Sequence, residues 1–367
     1  MRVTRLTLRD FRSYPVAAVE LGPGLTVVHG PNGAGKTNLL EALYLACTGR
    51  SCRTATDREV IRFGTQVARV ELEGDAEDGP HTIAVGLEAG ERKRVQVDGH
   101  AVERLADEAT RPLAAVFLPD RLELVKGAPG LRRAHLDQVV AALWPARADT
   151  RRAYGRALAQ RNALLARVRA GRSVRDALRP WDAELARHGI AVMGDRRSAA
   201  DALAEPYVRH ATELGLDGDP SLAYRARSAA TSAEALAREM HERLDGDLER
   251  GFSGHGPHRD ELVLSRAGRP LRVYGSQGQQ RLALLALLLA EREVIGATRG
   301  APPLMLLDDV MSELDADRRR RLVALLEECD GQSVITTTDL GHVPAPGAAR
   351  IAVREGGALA EAGAAAA

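Results

Sequence analysis

The sequence predicts an α/β head, a mixed sheet around a phosphate-binding loop, interrupted by a helical insertion domain. Three observations carry this reading. A Gly-rich segment, GPNGAGKT at Gly30–Thr37, lies between an apolar strand pattern and a helical one. A second apolar strand, PPLMLLDDV, ends in two adjacent acids near the other end of the chain. Between them runs a long stretch whose apolar residues recur at helical spacing.

Taken in order, the first hundred residues read as strands and turns. VTRLTLRDF and AVELGPGLTVVHG alternate or run apolar, and QVARVELEGD, HTIAVGLEAG and RKRVQVDGH look like hairpin pieces closed by Gly and Asp. Lys36 to Cys47 is predicted to be a helix. The character then changes: Leu158, Leu164, Leu165 and Val168 fall on one helical face, and the segment from Trp181 continues in that style. Strand patterns return in DELVLSRAGRPLRVYG. A buried strand, a helix (DRRRRLVALLEECDG) and another strand (SVITTTD) follow, and the tail GALAEAGAAAA reads as low-complexity and frayed. The expected organisation is 1–130 as the N-terminal part of the head, 131–250 as the helical arm, and 251–367 as the C-terminal part of the head.

Composition narrows the classes. At 367 residues, 45% hydrophobic and 28% charged, the chain suits a soluble protein with two cores. Its longest apolar run, Leu282–Ala290, is less than half of the roughly 20 residues a bilayer span needs. The start, MRVTRLTLRDF, has no apolar signal core, so a cytoplasmic protein with no membrane partner is expected. Cys47, Cys52 and Cys329 have no metal-ligand spacing and are expected to stay reduced. The net charge is only +1, but residues 131–180 hold twelve Arg against three Asp, while 181–250 hold nine Arg against fourteen acids. Such partition points to a polyanion-facing surface on the basic part, or to Arg used as a general helix surface residue.

The motifs supply chemistry. Gly30, Pro31, Asn32, Gly33, Ala34, Gly35, Lys36 and Thr37 fit G-x-x-x-x-G-K-[ST], and Asn38 follows on the helix. Backbone N–H groups of such a loop surround a β-phosphate, Lys36 bridges β- and γ-phosphates, and the Thr37 hydroxyl sits on Mg²⁺. ATP or GTP binding follows. In LMLLDDVMSELD, Asp308 suits the Walker-B role toward Mg²⁺, and Asp309 suits orientation of the attacking water. Lys36, Asp308 and Asp309 are therefore the expected catalytic set. YGSQGQQRLALLALLLAERE places Ser276, Gln277, Gly278 and Gln279 just before a long apolar helix. The order of phosphate loop, S-x-G-Q step, D-D strand and S-E-L-D is that of an ABC-type ATPase. There the signature step meets the γ-phosphate held by a second copy, so a homodimer formed on ATP is expected. A plain helix N-cap is the bland reading of the same serine.

The residues resemble the RecF family over nearly the whole chain. The resemblance is carried by LTLRDFRSYP with GPNGAGKTNLLEALYLACTGRSCRT, by LPDRLELVKGAPGLRRAHLD (Leu118–Asp137), by YGRALAQRNALL (Tyr154–Leu165), by GPHRDEL (Gly256–Leu262), and by SQGQQR and LLDDVMSELDADR. It implies a weak, DNA-dependent ATPase of recombinational repair and replication, linked to the SOS response. Such a protein dimerises on ATP, binds gapped or single-strand/double-strand junction DNA, and promotes RecA loading with RecR and RecO partners. By position it puts Arg12 and Ser13 near the adenine and Arg53 near the phosphates or DNA. Arg132 and Arg133 either touch DNA or brace the root of the arm.

Departures from the pattern are His135 in place of an aromatic, no Gln around Phe117–Glu123, no switch His at TTTD, where Thr338 or Asp339 stands, and Asp309 in place of a Glu. His255 and His258 are expected to be structural rather than metal ligands, and Trp144 and Trp181 core residues. An ATP-switched module that docks protein partners is the alternative function. A transporter subunit fits less well, given the long insert.

Overall fold

The computed structural model describes residues 1–105, 108, 110–354 and 357–361. The chain forms two compact units, one of residues 1–121, 213–215 and 295–367, the other of residues 122–212 and 216–294. These limits fall at 121/122 and 294/295 rather than at the composition changes near 131 and 250. Contacts group residues 122–130 and most of the helix after the S-x-G-Q step with the arm, which residue composition does not register.

The first unit holds two six-stranded sheets. One is antiparallel, in the order β2-β1-β4-β5-β6-β7, from β1 (Arg2–Phe11), β2 (Tyr14–Glu20), β4 (Val67–Ala76), β5 (Gly79–Glu88), β6 (Arg94–Val97) and β7 (His100–Val102). Its strands alternate buried and exposed residues, as one-faced burial requires. The other sheet runs β15-β14-β3-β13-β12-β8, from β3 (Leu25–His29), β8 (Ala114–Phe117), β12 (Leu304–Leu307), β13 (Ser333–Thr337), β14 (Ala349–Arg354) and β15 (Gly357–Glu361). All of its pairings are parallel except β14 with β15. Every residue of LMLL and SVITT is buried, so these strands lack the alternation of a one-faced sheet; LMLL is apolar throughout, while SVITT buries its hydroxyls as well. The sequence tail therefore splits: residues 357–361 are a strand rather than a frayed end, and 362–367 lie outside the described residues.

Two helices of this unit matter for the site. α1 (Lys36–Thr48) follows β3 through the phosphate loop, and α10 (Ala316–Glu328) follows β12, its N-cap Asp315 accepting from the Arg318 N–H. Leu39, Leu40, Leu43 and Val28 join Leu6, Leu8 and Phe11 in one core, so the helix that presents Thr37 is clamped to the sheet.

The second unit contains α2 (Glu123–Lys126), α3 (Pro129–Leu143), α4 (Ala148–Arg169), α5 (Arg179–Glu213), α6 (Ala233–Glu242) and α7 (Leu244–Arg250). A three-stranded sheet, β11-β10-β9, adds β9 (Pro220–Arg225), β10 (Glu261–Arg266) and β11 (Arg269–Pro270). The helical reading of 131–250 missed β9. Its sequence PSLAYR is too short to declare a period and is held by six register pairs with β10. DELVLSRAGRPLRVYG is likewise only partly strand, because Leu271–Tyr274 turn into the short α8. Then α9 (Gln277–Arg299) begins, and Leu282–Ala290 are buried on every side. Neither Trp144 nor Trp181 is fully buried; Arg147 stacks 4.3 Å from the Trp144 ring centroid. Among the described residues, no helix is long and apolar enough to cross a membrane.

Candidate active site

The phosphate loop connects β3 to α1 through backbone that only glycine tolerates. Gly30 has φ +153°, and a Cβ there would stand 2.1 Å from the Val353 carbonyl oxygen. Gly35 has φ +113°, and its Cβ would meet Ser13 Oγ at 2.8 Å and the Tyr14 hydroxyl at 2.9 Å. Tyr14 donates to the Gly35 carbonyl at 3.0 Å and so pins the loop from β2. Pro31, Asn32 and Gly33 are exposed, while Ala34, Gly35 and Lys36 are buried beneath them. The Lys36 ammonium curls back to donate to the carbonyls of Gly30 (2.8 Å) and Pro31 (2.9 Å). Burial lowers its pKa, opposed by the charges of Asp309 and Asp308. It is a cation already desolvated and held over the loop.

Parallel pairing sets the acids opposite this loop. Thr37 Oγ1 donates to the Asp308 carboxylate at 3.0 and 2.9 Å, and Thr336 Oγ1 at the end of β13 donates to it at 2.7 Å. Burial pushes the Asp308 carboxyl above its ordinary range, and the two hydroxyls pull it back. The Asp309 N–H is satisfied by Thr336 Oγ1 at 2.9 Å. Asp309 itself has φ 46° and ψ 29°, a left-handed backbone unusual for a residue with a side chain. One of its oxygens accepts from Ser312, whereas the other, Oδ1, is buried with no hydrogen-bond partner. An orphaned buried carboxylate oxygen beside a saturated one divides the labour: Asp308 is held in place, and Asp309 has an open acceptor.

A magnesium ion fits this donor set. It takes one carboxylate and one hydroxyl from protein and fills the rest of its shell with phosphate oxygens and water. Asp308 and Thr37 supply such a pair. Among the described residues no three His, Cys, Asp or Glu side chains cluster as a metal cage. His255 pairs with Glu239, and His258 lies between the Tyr154 hydroxyl and the Ser253 carbonyl.

Sequence reading overlooked the hub of the rim. Glu41, one turn into α1 and fully buried, accepts two bonds from Arg12 (2.9 and 2.7 Å), one from Ser51 (2.5 Å) and one from Arg53 (3.3 Å). Arg53 also donates to Asn38 Oδ1, and Asn38 donates to Ser13 Oγ. Arg12, Ser13, Asn38 and Arg53 are thus gathered beside the loop by one acid. Arg12 occupies the two-residue turn between β1 and β2 with φ 51°. A Glu among the apolar residues LLEALYLAC was the available signal. Thr336 was overlooked too. The structure puts it, rather than Thr338 or Asp339, against both acids.

In the second unit, Ser276 and Gln279 form a reciprocal cap at the start of α9: Ser276 N–H donates to Gln279 Oε1 at 2.9 Å, and Gln279 N–H to Ser276 Oγ at 3.3 Å. The N-cap reading of this serine therefore holds. Buried Gln280 donates to the Leu271 carbonyl, fixing the turn, while Ser276, Gln277 and Gly278 are exposed at the helix N-terminus. Arg132 corrects the DNA-contact expectation. It is 3% exposed, and its guanidinium donates to Glu261 (2.6 Å) and to the carbonyls of Leu124, Val125 and Gly127. It braces the root of the arm. Arg133 is half-buried and donates to the Asp260 carbonyl at 2.8 Å. His135 pairs with Glu291, so a polar contact replaces the expected aromatic packing.

Comparison with known proteins gives the family and the fold. The family model described as RecF/RecN/SMC N terminal domain matches residues 2–348. The chain is 38% identical over 348 residues to the DNA replication and repair protein RecF of Heliobacterium modesticaldum, covering 93% of each. It is 41% identical over 351 residues to that of Anaeromyxobacter sp. strain Fw109-5, covering 92% of this chain and 93% of the relative. It is also similar to the solved structure of the recombination mediator protein RecF with ATP in the RecFOR pathway. There the TM-score is 0.87, the identity 27%, and 98% of both chains is covered. An SMC head bound to a ScpA domain shares the fold, at a TM-score of 0.62 and 15% identity.

Proposed function

The chain belongs to the RecF/RecN/SMC N-terminal domain family, and within it to the RecF proteins; on that premise we propose that it is a DNA-binding, ABC-type ATPase of replication and recombinational repair. The observation that carries the reading is the pair of acids at the end of β12, one saturated by Thr37 and Thr336, the other with an open buried oxygen. The loop Gly30–Asn38 binds the phosphates of ATP, and Lys36 exchanges its two carbonyl partners for β- and γ-oxygens. Thr37 and Asp308 would hold Mg²⁺, which would supply neutralisation of phosphate charge. Asp309 Oδ1 accepts a hydrogen bond from the attacking water and orients it.

The exposed step Ser276–Gln279 meets the γ-phosphate bound by a second copy, with a helix N-terminus favouring that anion. ATP thereby joins two heads, and the dimer holds gapped or junction DNA through sequence-independent phosphate contacts. RecR- and RecO-like partners and RecA loading complete the reading, in the cytoplasm.

Light scattering on a sizing column tests it, with ATP–Mg²⁺ and with ADP, for the wild type and Ser276→Arg. The wild type is expected to dimerise with ATP only, and the variant to stay monomeric. The substitution also removes a cap at a cost of about 1 kcal/mol, so a melting curve accompanies it. Monomers throughout, with gapped DNA present as well, would overturn the composite site.

A further inference from the structure

The arm holds a basic cavity unconnected with any signature motif. It has a volume of about 670 Å³ and is lined by Arg227, Arg243, Arg250, Arg259, His255 and Phe252, together with Gly246 and Gly254. That size lies within the roughly 300–1,000 Å³ of small-ligand sites. No acid is among its lining residues, and Arg243 pairs with Glu242 at 3.9 Å. Arg250 donates to Asp247 at 3.0 Å, His255 pairs with Glu239, and Arg243 donates to the Glu239 carbonyl. Among the described residues, the guanidinium groups of Arg227 and Arg259 have no acid or carbonyl partner. Arg259 lies 5.3 Å from the centre of the Phe252 ring.

The site is shaped around these side chains. A Cβ on Gly254 would stand 2.8 Å from Arg250 Nη2, and one on Gly246 3.2 Å from its Nη1, so the two glycines make room for the guanidinium. Phe252 is 40% exposed and stands beside Arg259, so its ring is open to a ligand that enters the cavity. Several cations brought together without facing acids repel one another, and an anion relieves that repulsion. Guanidinium forks match phosphate oxygens in pairs, and an aromatic face accepts a nucleobase. A base inside a duplex cannot reach a ring set in a cavity, whereas an unpaired one can.

We infer that this cavity binds a single nucleic-acid strand, its phosphates on Arg227, Arg250 and Arg259 and one base over Phe252. The inference rests on the DNA-binding reading above for its class of ligand, but not on the ATP-driven dimer. Sequence carried no sign of it, because the cavity draws most of its arginines from segments of acidic or neutral average charge.

The test is fluorescence anisotropy of labelled oligothymidylate, at several salt concentrations and without nucleotide. Arg227→Ala with Arg259→Ala is expected to reduce the slope of log K against log salt by about 1.4, two single-strand phosphates. Phe252→Ala is expected to weaken binding roughly 5- to 150-fold, the loss of one stacked base, with the slope unchanged. Arg227→Glu, at an exposed residue with no partner to lose, carries the test if the double variant melts early. Wild-type affinity and slope in these variants would overturn the inference. So would wild-type protein that binds poly-glutamate in preference to the strand. Wild-type protein that binds the strand through this cavity but shows no ATP-dependent dimer would support the inference while sinking the composite site.

Discussion

Replacing Arg132 with alanine separates bracing from DNA contact. The guanidinium makes three bonds to backbone carbonyls, at 3.2, 3.0 and 3.1 Å, and one at 2.6 Å to Glu261. Each carbonyl bond contributes about 1 kcal/mol net, and truncation leaves buried acceptors without donors. Glu261 keeps 27% of its side chain exposed, so water recovers part of that loss. Removing one partner of a buried pair costs about 3–5 kcal/mol, and the partial exposure of Glu261 places the expected loss near the middle, about 4 kcal/mol. Against a typical stability of about 5–15 kcal/mol, that is a large fraction. Urea unfolding followed by tryptophan fluorescence reads it directly, since Trp144 closes the same helix as Arg132. Duplex DNA binding, measured in parallel, is expected to keep its salt slope. A variant as stable as wild type whose slope falls by about 0.9 would refute the argument, because that is the mark of a lost phosphate contact.

Two further predictions concern the acids and the arm. Asp309→Asn removes the carboxylate with the open oxygen and leaves Asp308 and Thr37 untouched; kcat for ATP is expected to fall about 100- to 10,000-fold, while binding of a fluorescent ATP analogue is unchanged, and a fall in binding instead would move Asp309 into the metal set. Burial lowers the His258 pKa below the ordinary 6.5, helped by the charges of Arg259 and Arg133 and opposed by the hydrogen bond to the Ser253 carbonyl and the charge of Asp260. The unfolded chain thus binds the proton more readily, and the stability due to neutral His258 is present above pH 6.5 and lost as pH falls toward the lowered folded value. Melting curves from about pH 7.5 to about pH 5.5 are expected to show wild type losing stability relative to His258→Gln, and parallel curves would contradict this.

The phosphate loop, the acid pair and the signature step were legible in the sequence because each is a local device. Glycines are needed where the backbone must turn with positive φ, a lysine and a threonine must stand at a set spacing from them, and a buried strand must be apolar until its end. These constraints act over a few residues, so they appear as a motif. Partnership across the fold leaves no such trace. Arg132 is one arginine in a basic run, and only the packing of α3 against α2 and β10 shows that its charge is buried and consumed. Glu41 and Thr336 are an acid in an apolar helix and a hydroxyl in a threonine run, and the sheet register gives them their roles by placing them against Arg12 and Asp308. The basic cavity is assembled from the segment after β9, α7 with the residue before it, and the stretch that leads into β10, and their summed charge conceals it. The sequence by itself determined which chemistry the chain is equipped for. The tertiary structure decided which charged groups are spent on holding the fold and which remain to meet a ligand, because a charge's availability depends on the neighbours that desolvate and neutralise it, and those come from distant parts of the chain.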